Sequence, residues 1–124
     1  MKIEVSIGEI VDKLSILKLK TIHIKDPEKL VNIQKEYEYL YDVVFNELNI
    51  NQEDFDELVY INNMLWTTED KIRVKERDEE FDEEFIYLAR LVYITNDHRA
   101  RFKKDINIKY GSDFVEEKSY EEYN

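Results

Sequence analysis

Arg90, Asp97, Arg101 and Lys104 follow one another at spacings of seven, four and three, with Asn96, Arg99 and Lys103 on the adjoining turns. On a helix those spacings gather the side chains toward one face. A guanidinium is a rigid fork that grips a carboxylate or phosphate at two points, so the chemistry this face offers is the binding of a small anion. The earlier basic positions Lys13 and Lys20 complete such a site if their helix lies opposite. The candidate anion-binding set is therefore Lys13, Lys20, Arg90, Asn96, Arg99, Arg101 and Lys104. A plainer reading stays open beside it: the arginines pair with acidic faces of neighbouring helices or with an acidic tail, and hold a bundle or a dimer together. Asp12 and Lys13 read in the same two ways, and Glu9 reads as a capping partner rather than a catalytic acid.

Other chemistry has less to stand on. A carboxylate metal site on helices wants a Glu-x-x-His pair or paired Glu-x-x-Glu motifs on facing helices. Glu76-x-x-Glu79 and Glu80-x-x-Glu83 occur, but neither a second pair nor a companion for His23 or His98 follows, so we expect no metal and no cofactor. Arg73, Arg90, Arg99 and Glu76 could be assembled into a mutase that stabilises a rearranging dicarboxylate, as could the charges of many bundles. The chain contains no Ser/His/Asp arrangement, phosphate-cradling glycine loop or dinucleotide fingerprint.

These side chains need elements to hold them, and the composition says which. Two glycines and one proline leave little material for the turns of a β architecture, so the expected fold is all-α: a small bundle of about four helices. Ser6 with Glu9 has capping-box spacing and opens a helix over about residues 7–25. Asp26-Pro27 restarts the chain, aspartate as N-cap and proline at the first helical position, for a second helix to about Asn49. Tyr37 and Tyr41 are expected to face its core side and Tyr39 another face. Asn51 caps a third helix with Phe55, Leu58, Val59, Asn62, Leu65, Trp66 and Ile72 inward. A hinge is expected near Asp78, and the fourth helix carries Phe85, Leu88, Ala89, Val92, Thr95, Arg99, Phe102 and Ile106 to a glycine stop near Tyr110-Gly111. Met1–Val5 reads as a short extended segment, residues 112–124 as a tail, and Asp113-Phe114-Val115 as a strand that could pair with the N-terminus. The whole, residues 1–124, is one helical domain.

Charge narrows the partners. Twenty-nine acidic residues against 18 basic ones leave a net charge of -11, which argues against a phosphate-tracking nucleic-acid surface. The absence of cysteine, of a signal-like start and of any apolar run near the ~20 residues a bilayer needs favours a cytoplasmic protein. Nine tyrosines, six phenylalanines and one tryptophan are ample for a protein-binding surface, and a two-fold homodimer is the default use.

Val5-Ser6-Ile7-Gly8-Glu9-Ile10-Val11-Asp12-Lys13-Leu14-Ser15-Ile16-Leu17, Leu88-Ala89-Arg90, Tyr93 with Thr95-Asn96-Asp97, and Glu116-Glu117-Lys118-Ser119-Tyr120 carry a resemblance over nearly the whole chain. They resemble a family of small bacterial and marine-phage proteins classed as a domain of unknown function, numbered 6165. The resemblance implies kinship with genes of surface-polysaccharide metabolism and with auxiliary genes of phages; it supplies no catalytic residue. The bias toward Ile, Asn, Lys, Tyr and Phe, whose codons are AT-rich, agrees with a viral source. The expected function is thus a non-catalytic interaction or regulatory protein, a phage auxiliary protein acting on a host or bacterial protein in the host cytoplasm. The alternative is a small-anion or sugar-phosphate-binding protein or enzyme of polysaccharide metabolism that uses the basic face of the fourth helix.

Overall fold

The computed structural model describes residues 1–117, 122 and 123. Residues 118–121 and 124 of the expected tail, with Lys118-Ser119-Tyr120 of the motif above, lie outside the described residues. Among the described residues the chain is an all-α bundle of four helices: α1 (Ile7–His23), α2 (Pro27–Asp42), α3 (Gln52–Arg77) and α4 (Glu83–Lys109), with a π-helical turn, Val43–Glu47, continuing α2. Among the described residues no helix is long and apolar enough to cross a membrane.

Each start has a local cause. Side chains of Ser6, Asp26, Asn51 and Asp82 accept hydrogen bonds from backbone N–H groups of the first turns of α1 to α4, which otherwise lack partners. The ends are equally local. At the close of α4 Gly111 turns left-handed (φ 69°), with Ser112 N–H donating to the Asn107 carbonyl at 2.8 Å. This is the glycine stop the sequence predicts. At the close of α3 the same motif forms without glycine: Glu79 takes the left-handed position (φ 54°), and Glu80 N–H reaches the Lys75 carbonyl at 2.9 Å. The hinge near Asp78 is thus a tight αα-hairpin, clasped by Lys75, whose ammonium meets Glu80, Asp82 and Glu84 at 3.1, 2.9 and 3.3 Å. Three of the six acidic residues between Asp78 and Glu84 are thereby paired with one lysine.

Several expectations are corrected. The second helix does not run regularly to Asn49; its last turn widens to π, and Asn49 turns left-handed (φ 53°). The Glu9 carboxylate does not close a capping box but turns to Lys103 at 2.7 Å. Met1–Val5 and Asp113–Val115 do not pair, and no strand forms among the described residues. Instead Ile7 N–H donates to the Ser112 hydroxyl at 3.0 Å. Tyr41 is 45% exposed rather than inward.

The layers follow from which helix meets which. α1 packs against every other helix, whereas α2 meets only α1 and its own π turn. The order is α2, then α1, then the α3–α4 hairpin. Val11 and Leu14 of α1 meet Phe55 and Leu58 of α3, Ile106 of α4, and Val44 and Ile50 after α2 in one buried cluster, where each aliphatic side chain contributes about 1.5–3 kcal/mol of transfer free energy. At Gly8 the approach of α1 to α4 is close enough that a Cβ would lie 2.6 Å from the Lys103 carbonyl oxygen. The position requires glycine because no room exists for a side chain.

Candidate functional site

Asp12 is the polar centre of the molecule. It is 1% exposed and sits where α1, α3 and α4 meet. Arg99 Nε donates to Asp12 Oδ1 at 3.0 Å and its Nη2 to Oδ2, a two-point clamp. Asn62 Nδ2 donates to the same Oδ1 at 2.8 Å and to Ser15 Oγ at 2.7 Å, while Ser15 Oγ donates back to the Asp12 carbonyl at 2.6 Å. Among the described residues no buried side-chain polar atom is left without a partner. The hydrogen bond to Asp12 raises the Arg99 guanidinium above its ordinary range, against the opposing effect of burial. A closed, satisfied network of this kind sets the register of three helices.

Beside this network, α4 and the C-terminal segment enclose a cavity of about 510 Å³. One wall is a face of α4: Val92, Tyr93, Asn96, Asp97, Arg99, Ala100, Lys103, Lys104 and Asn107. Glu116 and Tyr123 form the other. Lys103 is the pivot, with its ammonium 2.7 Å from Glu9, 3.8 Å from Asp12 and 3.9 Å from Glu116. Lys104 meets Glu117 at 3.1 Å. Asn107 is held by Gly8 N–H at 2.6 Å. Across the mouth the rings of Tyr93 and Tyr123 meet edge to face, 5.3 Å between centroids. The Tyr123 hydroxyl bonds to the Asp97 carboxylate, which with desolvation and the nearby negative charge raises the phenol above its ordinary range.

Of the sequence-derived candidates, Asn96, Arg99 and Lys104 line this cavity. Arg101 lies in a separate shallow depression of about 440 Å³ with His98, Phe102, Lys104 and Asp105. Arg90 is exposed on the outer side of α4. Lys13 turns to the other layer and pairs with Glu36 of α2 at 3.4 Å. Lys20, half-buried near the end of α1, is not on the cavity wall either. The set that meets is Asn96, Arg99, Lys103 and Asn107, spaced three, four and four. The sequence-derived set left out Lys103, Asn107, Glu116 and Tyr123; Asn107, four residues on from Lys103 and eight from Arg99, continues their face, and that spacing was the available signal.

Arg99 is committed to Asp12, and among the described residues no group of three His, Asp or Glu is placed to hold a metal. Arg73 and Glu76, the remaining mutase candidates, are exposed near the far end of α3. A family model described as a family of unknown function, DUF6165, matches residues 1–123. The chain belongs to DUF6165. No curated protein and no solved structure matches it. Gly8, Glu9 and Asp12 supply the contacts that tie α1 to α4, so this stretch of the chain serves the fold.

Proposed function

We propose that this DUF6165 protein is a non-catalytic binding protein. It takes a small acid-bearing ligand, of the sugar-phosphate class, into the cleft between α4 and the C-terminal segment. One observation carries the reading: Glu116 and Glu117 of that segment stand against Lys103 and Lys104, at 3.9 and 3.1 Å. The chain's own carboxylates occupy the places a phosphate would take. An incoming phosphate offers three charge-dense acceptor oxygens and competes with them for the same ammonium groups. The tyrosine faces at the mouth and the apolar floor of Val92 and Ala100 suit the body of a sugar, and Asn96 supplies a donor and an acceptor for its hydroxyls.

Displacing the acidic segment turns occupancy of the cleft into a change of surface, which is how a regulatory protein reports a ligand to a partner. The wider reading belongs to the same proposal: a viral auxiliary protein that works as a homodimer in the host cytoplasm on a host component. The net charge of -11 supports a protein partner over a nucleic acid.

The test is thermal unfolding of the full chain with glucose 1-phosphate, glucose, inorganic phosphate and succinate, on wild type, Lys104→Ala and Arg90→Ala. A sugar phosphate at about 100 times its Kd stabilises by about 2.7 kcal/mol. That gain is expected to shrink in Lys104→Ala and persist in Arg90→Ala, which lies outside the cleft. Equal stabilisation of wild type and Lys104→Ala, or no response to any phosphorylated compound, refutes the reading.

A further inference from the structure

We infer that a second copy of this chain covers the back of the α3–α4 hairpin, about a two-fold axis at the level of Met64 and Asp97. This rests on the homodimer reading above and names its surface.

The side of the hairpin that α1 occupies is defined by contact: Asn62 bonds to Asp12, Asn63 and Trp66 meet His23, and Arg99, Lys103 and Asn107 bond to α1. At about 100° per residue, Met64 lies about half a turn from Asn62, and Ile94 about half a turn from Lys103. The opposite side therefore carries Tyr60, Met64, Tyr87 and Ile94, which are 61%, 37%, 60% and 37% exposed. No other helix lies there, since α2 packs only on α1.

Size and charge identify the occupant. Helices of 26 and 27 residues are about 40 Å long and together about 20 Å wide, so this face offers about 800 Å², the area one partner contributes to a standard stable interface. The single exposed face of α2, 16 residues long, offers less than about a third of that by the same geometry. Turning the hairpin over on itself about Met64 brings Glu57 against the partner copy's equivalent of Lys71, because both stand seven residues from Met64. In α4, Arg90 and Asp105 exchange in the same way about a centre between Asp97 and His98. That centre is level with Met64, because the two helices run antiparallel from a turn near Glu80. One axis thus satisfies both helices, placing acid on base twice and Met64 on its own equivalent at the middle of α3. The depression beside His98, Phe102 and Asp105 is placed to receive the opposing Ile94.

Sedimentation velocity and light scattering on the full chain test this. The wild type is expected as a dimer. Met64→Glu brings like charges together at the axis and is expected to raise the dimer Kd by about 100-fold or more, with helicity by circular dichroism unchanged. Glu57→Lys and Lys71→Glu each weaken the dimer, and the double exchange restores it; this pair decides the matter even if Met64→Glu fails to fold. A monomeric wild type overturns both the surface and the homodimer reading. A dimer that Tyr39→Glu on α2 breaks, while the Glu57/Lys71 exchange has no effect, overturns the surface and leaves the homodimer reading standing.

Discussion

Replacing Arg99 by alanine tests the claim that the Asp12 network holds three helices in register. The substitution leaves the Asp12 carboxylate, 2% exposed in its side chain, with only the Asn62 amide at 2.8 Å and the Lys103 ammonium at 3.8 Å. Removing one partner of a buried pair costs about 3–5 kcal/mol, because the remaining charge stays desolvated. Arg99 lines the open cavity and its side chain is 26% exposed, so the lower end, about 3 kcal/mol, applies. For a chain of this size that is a fall in Tm of about 10 °C. Asp12→Asn is expected to cost less, about 1–2 kcal/mol, since the guanidinium it frees can turn into the open cleft and hydrate. Combining the two should cost clearly less than the sum of the single changes, as coupled partners do. Urea denaturation followed by circular dichroism measures all three. A loss below about 1 kcal/mol for Arg99→Ala, or strict additivity in the double variant, would falsify the network's role.

Other substitutions probe other parts of the fold. Gly8→Ala forces a methyl against the Lys103 carbonyl, and should destabilise by about 1–3 kcal/mol through separation of α1 from α4, read by urea denaturation. Glu79→Gly removes the left-handed strain at the hairpin (φ 54°) and should stabilise by about 1 kcal/mol; no gain in the denaturation midpoint would contradict the strain. Asp54 resists desolvation by partial burial through hydrogen bonds from Lys109 and Tyr110, which hold its pKa below the ordinary carboxylate value. A depressed folded pKa gives stability that is present above the unfolded value of about 3.9 and is lost as pH falls through the lower, folded one. Asp54→Asn should therefore flatten the stability profile at the acid end, checked by melts between pH 2 and 6. The single tryptophan, Trp66, stacks on His23 at 4.7 Å, so His23→Ala should shift its emission to longer wavelength without loss of helicity.

The sequence alone determined the elements. Ser6, Asp26 with Pro27, Asn51 and Gly111 mark helix ends correctly because capping depends on a side chain and a backbone group within a few residues of each other. Near-absence of glycine and proline likewise determined the class. Where the local signal weakens the reading slips: the π turn at Val43–Glu47 answers to packing of Val44 and Ile50 in the core, not to any cap. The tertiary structure decided which face of α4 matters. Counting charges selects Arg90, Asp97, Arg101 and Lys104, of which Asp97 and Lys104 meet the C-terminal segment, whereas the face toward α1 is Arg99, Lys103 and Asn107, rotated around the helix from the first. That choice comes from contacts between residues 87 to 99 positions apart, such as Arg99 with Asp12 and Gly8 with Asn107. Helical periodicity gives every face of a helix the same spacing, and only the helix packed against it selects one.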